Sequence, residues 1–184
     1  MDNIDKKKSQ RGSRRTFEKF DEPDLIKDID SILNIAKKEG YYIENALNIE
    51  ELIKHFDSIQ LKFVEMHGGL SGSLKNEGDK WIMNINAKHH KNRQRFTMAH
   101  ELGHFIMHKD KNALFEDTTF FRGAESTAIE YAANEFASSL LMPESEIKRL
   151  LNEGIRELGI LSEKFKVSPS AMKYRLESLG YKFN

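Results

Sequence analysis

Histidines stand at positions 100, 104 and 108, each four residues from the next, in the stretch RFTMAHELGHFIMHKD (residues 95–110), and Glu101 directly follows the first. On an α-helix, residues four apart project from one face, about 40° round from each other. His100 and His104 can therefore offer two imidazoles to a single ion. Glu101 lies off that ligand direction, where its carboxylate can take a proton from a water that the ion activates. This HExxH spacing is the arrangement of zinc hydrolases. The plainer alternative is a partly exposed helix with surface histidines. Against it, Phe96, Ala99, Gly103 and Phe105 would give the helix the apolar, close-packing back that a buried site needs.

A hydrolytic zinc needs a third protein ligand and one open position. The chain has no cysteine, so that ligand must be His, Asp or Glu. In metzincins a Gly and a further His follow, at the positions held here by Met107 and Asp110, so that pattern fails. His108 is on the ligand face but two turns from His100, and reads as a histidine packed beside the site. Glu116 and Asp117 would lie on the loop leaving the helix. Glu130, in a second helical run, has Asn134 one turn further on the same face. A carboxylate there could bind the ion while Asn134 hydrogen-bonds a ligating imidazole and sets its tautomer. Glu125 and Glu135 are rivals in the same run, and each could equally be a solvated helix charge. For the oxyanion, His89, His90, Arg93, Arg95 and Tyr131 are all near in sequence and none is singled out.

The elements that must position these groups read as follows. The 184 residues are 39% hydrophobic, enough for one compact domain with a core and a small appendage. Apolar spacing is helical from Glu22 to Phe56, with Gly40 ending one helix and Asn48 capping the next. Ile59, Leu61 and Phe63 alternate with polar residues as in a strand. LSGSLK and KWIMNIN flank NEGD as a hairpin, with Trp81, Met83 and Ile85 on one face. Helical spacing returns from about Arg93, then from about Ser126 to Leu141, where Met142-Pro143 ends it. The last forty residues read as three short helices. The fold class expected is α+β: helices around a small, mostly antiparallel sheet of about three strands.

Composition narrows the function. Lys+Arg and Asp+Glu each total 29, so the whole-chain charge exerts no general pull toward nucleic acid or anionic membrane. The basic N-terminus is not followed by an apolar run, and no apolar segment nears the ~20 residues that span a bilayer. A cytoplasmic protein is expected. Residues 1–16 carry six basic side chains and almost nothing apolar, and read as a disordered tail.

RQRFTMAHELGHFIMH followed by EYAANEFASSLLMP resembles the ImmA/IrrE family of zinc metallopeptidases. GGLSG before the hairpin and LSEKFKVSPSAMKYRLESLGY near the C-terminus also resemble it, so the likeness covers about residues 59–182. It implies His100 and His104 as zinc ligands and Glu101 as general base. It implies Glu130 as the third ligand, because Glu130, Ala133, Asn134, Phe136 and Ala137 match the family's ExxAN-x-FA. Many relatives carry a second glutamate where this chain has Ala132, so one polar contact is expected to be missing. The family's usual role, by the same likeness, is intracellular cleavage of a helix-turn-helix repressor, often one encoded alongside in prophages, mobile elements or stress responses.

The organisation expected is a tail (1–16), a zinc peptidase core (17–143) and a C-terminal helical unit resembling a helix-turn-helix (144–184). In that unit Leu158, Leu161 and Phe165 form one apolar face, Ser168 caps the second helix, and Ala171, Met172 and Leu176 point inward. Lys173, Tyr174 and Arg175 would be the presented side chains. This supports a competing class, a DNA-binding regulator with a non-hydrolytic metal site. Residues 155–182 hold six basic side chains against three acidic, a small surplus for phosphate contact. Specific DNA binding is therefore not expected.

Overall fold

A computed structural model of the chain describes residues 29–108, 114–117 and 124–182, without the side chains of 108, 114–117 and 124–127. The expected tail, the helical spacing before Ile29 and the side chains of His108, Glu116, Asp117 and Glu125 lie outside that description. The architecture is α+β.

Helix α1 (Ile29–Lys38) buries Ile32, Leu33 and Ala36, and Gly40 turns the chain at φ +72°. A two-stranded ribbon, β1 (Tyr42–Ile43) and β2 (Ala46–Leu47), leads into α2 (Ile49–Lys54). Asn48 caps α2 as expected, its side chain accepting from the Glu51 amide.

The main sheet has the order β3-β5-β4-β6, where β3 is Ile59–Val64, β4 Gly72–Glu77, β5 Lys80–Asn86 and β6 Leu114–Asp117. Among the described residues this is four strands, one more than expected. β3 pairs parallel with β5, while β4 pairs antiparallel with both β5 and β6. The hairpin forms as read: Glu77 faces Lys80 across a two-residue turn in which Gly78 takes φ +75°. Two expectations change. Glu116 and Asp117 stand on a strand, not on a loop. Phe63 is 41% exposed, because β3 is an edge strand and only its first residues reach the core.

Helix α3 (Lys91–His108) runs against β4 and β5 on one side and α4 (Ala124–Leu141) on the other. It is buried from Thr97 through Ile106, which is why its apolar residues form no single stripe. Gly103 lets the two long helices approach: a Cβ there would sit 3.0 Å from a Phe136 ring carbon. Gln94 donates to the Asn86 and Ala87 carbonyls at 2.9 and 3.1 Å, fixing the start of α3 to the end of β5.

Helices α5 (Glu144–Asn152), α6 (Leu158–Phe165) and α7 (Pro169–Ser178) complete the chain. Leu161, Phe165, Met172 and Leu176 are buried as expected, and Ser168 caps α7 by accepting from the Ala171 amide at 3.1 Å. These helices share the core with α1–α4. Arg95 on α3 donates to the Lys166 carbonyl at 3.1 Å, and Asn92 to the Val167 carbonyl at 3.0 Å. Arg175 departs from its expected role. It is only 7% exposed and its Nε donates to the Met142 carbonyl at 3.1 Å, so it is turned into the protein.

Candidate metal centre

One turn of α3 separates His100 from His104, and both are buried, at 3% and 1% exposure. Their Nε2 atoms stand 3.0 Å apart. From α4, Glu130 brings Oε2 to 3.1 Å from His100 Nε2 and Oε1 to 3.2 Å from His104 Nε2. Two imidazole nitrogens and a carboxylate thus face one point. Tetrahedral ligand atoms at ~2.0–2.1 Å from a zinc ion lie about 3.3 Å from one another. The observed spacings fit that frame with little adjustment.

Asn134 gives the arrangement its polarity. Its Oδ1 lies 3.0 Å from His100 Nδ1, and a carbonyl oxygen can only accept. Nδ1 therefore carries the proton and donates, which leaves the Nε2 lone pair turned toward His104 and Glu130. Such lone pairs and a carboxylate are brought together at a cost unless a cation or protons stand between them. Burial raises the Glu130 pKa, but where protons on the two imidazoles stand between them and the carboxylate, their hydrogen bonds and charge outweigh it and bring the carboxyl down to about 2.

Glu101 is fully buried and lies against β4. A Cβ built on Gly72 would meet its Oε1 at 2.9 Å and the Thr97 methyl at 2.5 Å. Gly72, the last residue of GGLSG, thus makes room for the carboxylate. Spacing alone did not disclose this role, although the quoted motif drew notice to the segment.

The remaining candidates separate clearly. Glu135 is not in the ligand group: its Oε1 accepts from the Tyr174 hydroxyl at 2.9 Å, which raises the Tyr174 pKa. Arg93 donates to Ser71 Oγ through Nε at 3.2 Å and Nη2 at 2.7 Å. Arg95 is turned to the α6 terminus, and burial lowers its pKa against the opposing pull of Glu50. His90 accepts from the Asn92 amide at 3.2 Å. Tyr131, next to Glu130 on α4, is 60% exposed. Strand β3, an edge of the sheet, lies two strands from Gly72, about 9–10 Å away. The sheet edge nearer to Glu101 is β6, which pairs with Gly72 itself.

Comparison with known proteins bears on these residues. The profile of the IrrE N-terminal-like domain, a peptidase family, matches residues 58–177. The radiation response metalloprotease IrrE of Deinococcus radiodurans is 33% identical over 122 residues, or 64% of this chain and 36% of that protein. The chain thus spans about a third of the length of that relative. A Mycobacterium tuberculosis transcriptional regulator shares the fold, with a TM-score of 0.61 at 17% identity, over 86% of this chain and 49% of the other. No helix among the described residues is long and apolar enough to cross a membrane.

Proposed function

The chain belongs to the IrrE N-terminal-like peptidase family, and from that premise we propose that it is a zinc-dependent endopeptidase acting on a helix-turn-helix repressor. The observation that carries the hydrolytic part is the convergence of His100, His104 and Glu130 within 3.0–3.2 Å, beside a buried Glu101. His100, His104 and Glu130 would hold the ion. A bound zinc supplies the Lewis acidity that activates water and polarises the scissile carbonyl. The two-histidine, one-carboxylate set without thiolate suits zinc.

The chain's own residues do the rest. Asn134 holds the proton on His100 Nδ1 and so keeps Nε2 in its ligating form. The Glu101 carboxylate accepts the proton of the attacking water and returns it to the leaving amine. Gly72 lies against that carboxylate and limits where it can sit. Residues 17–143 act as the catalytic core, and 144–184 as a helical unit that packs on it.

The repressor as substrate rests on the resemblance of RQRFTMAHELGHFIMH and EYAANEFASSLLMP to peptidases with that role. The competing reading, a DNA-binding regulator, is disfavoured by Arg175, whose guanidinium is buried against Met142. The test uses the purified protein and purified helix-turn-helix repressors of the same genome, starting with any encoded beside its gene. One repressor is expected to be cut at one or a few sites with zinc, and left whole with a chelator or with Glu130→Ala. A zinc-loaded protein that cuts other polypeptides but leaves every repressor whole would refute the substrate. A protein that binds no zinc would refute the site.

A further inference from the structure

A hollow of about 540 Å³ opens between the first turns of α3 and the start of α7, lined mainly by carbon from Phe96, Pro169 and Ala171, with Asn92, Arg93, His90 and Ser168 at its polar edge. Its volume is that of a ligand pocket. The residues that line it continue the metal centre. Asn92, Phe96, His100 and His104 succeed one another at four-residue intervals along α3, so the hollow lies along the ligand face, toward the helix N-terminus.

The opposite wall also leads back to the centre. Ala171 and Tyr174 are three apart on α7 and share a face. Tyr174 is 42% exposed and its hydroxyl reaches Glu135 on α4. Tyr131, one residue from Glu130, is exposed and close enough to Tyr174 to help raise its pKa, after Glu135 and burial. Two solvent-facing tyrosines thus connect α4, one residue from Glu130, with the helix that carries Ala171.

We propose that this hollow is the specificity pocket of the cleft, and that it takes a large apolar side chain of the substrate within two residues of the cut bond. The inference rests on the peptidase reading above. One turn of α3, four residues, advances about 6 Å from His100 to Phe96. An extended peptide presents a side chain to the same wall every second residue, about 6.6–6.8 Å. A peptide with its scissile bond at the metal residues and its chain along α3 therefore places one side chain over the hollow. Carbon lines most of that space and Arg93 is engaged with Ser71, so the pocket selects Leu, Ile, Met, Phe or Tyr over charged residues. The C-terminal helices are then part of substrate recognition through Ala171 and Pro169.

The experiment uses the full chain loaded with zinc and a proteome-derived peptide library whose cut sites are read by mass spectrometry. Cleavage is expected to show large apolar residues at one position within two residues of the cut. Ala171→Phe, which fills the hollow, is expected to lower kcat/KM for such peptides about 10- to 100-fold, the range that burial of one large apolar side chain supports. The matched peptide with alanine at that position should change by less than about threefold, and bound zinc should be unchanged. Pro169→Trp is a second variant at an exposed position, which spares the core and should act in the same direction. Cleavage by the wild type without apolar preference, or equal loss on both peptides with Pro169→Trp, would overturn the pocket while leaving the peptidase reading in place. Zinc-loaded protein that cuts nothing would overturn both.

Discussion

Gly72→Ala tests whether the close packing around Glu101 matters to the chemistry. By local preference alone the change should help, since glycine inside a strand costs ~0.5–1 kcal/mol relative to alanine. The surroundings oppose it. The new Cβ would stand 2.5 Å from Thr97 Cγ2, 2.9 Å from Glu101 Oε1 and 3.1 Å from the Asn84 carbonyl oxygen. Carbon atoms pack at ~3.5–4.0 Å, so the threonine methyl must retreat by about 1 Å. Thr97 is 3% exposed on a packed helix, and its branched side chain has few rotamers there. Overpacking of this kind costs ~1–3 kcal/mol, which exceeds the local gain. Glu101 must also withdraw, and misplacement of a reacting group by ~1 Å can cost ~10²-fold in rate. The expected result is a lower Tm, kcat/KM reduced about 10- to 100-fold, and full zinc occupancy, because neither ligand helix is touched at a ligand. Thr97→Ser removes the methyl, so the double variant should recover most of the Tm but not the rate, because the Glu101 contact persists. Gly72→Ala with unchanged stability and kcat/KM would refute the packing argument.

Other outcomes follow from the same geometry. Asn134→Ala is expected to weaken zinc binding about 10- to 100-fold, measured by competition with a chelating dye, because His100 loses the acceptor for its Nδ1 proton. Glu130→Ala should lose zinc outright while His108→Ala keeps it, and the reverse result would move the third ligand to His108. Arg175→Ala removes the donor to the buried Met142 carbonyl and should lower stability by about 1–3 kcal/mol in urea unfolding. Protein lacking residues 1–16 should show no sequence-selective duplex DNA binding at physiological salt. Micromolar selective binding lost with Lys173→Ala, at an unchanged Tm, would restore the regulator reading.

The parts legible in the sequence were those set by local chemistry. The four-residue spacings His100–His104 and Glu130–Asn134 each reach one face of one helix, and helix geometry alone brings such pairs together. Asn48 and Ser168 cap where they were read, and the hairpin turns where NEGD invites it, because caps and turns depend on a few adjacent residues. What escaped depends on distant partners. β6 has four residues and, among the described residues, pairs with β4 alone, so no periodic pattern marks it. The parallel pairing of β3 with β5 cannot be read from alternation, which is blind to direction. β5 is nearly buried on both faces because it is a central strand. Arg175 looked like a presented base on a helix surface until the Met142 carbonyl, thirty-three residues away, claimed its side chain. Gly72 was visible as a motif residue, but its task needs the register that sets it over Thr97 and Glu101.

The central claim is that His100, His104 and Glu130 hold a zinc ion and that Glu101 moves the proton in peptide hydrolysis. The most direct measurement takes wild type and Glu101→Gln, and determines bound zinc per chain and kcat/KM for one cleaved peptide on the same preparations. The account predicts one zinc per chain in both, matching Tm values, and a loss of at least ~10²–10⁴-fold in kcat/KM for Glu101→Gln. Near-normal cleavage by Glu101→Gln with its zinc in place would contradict it.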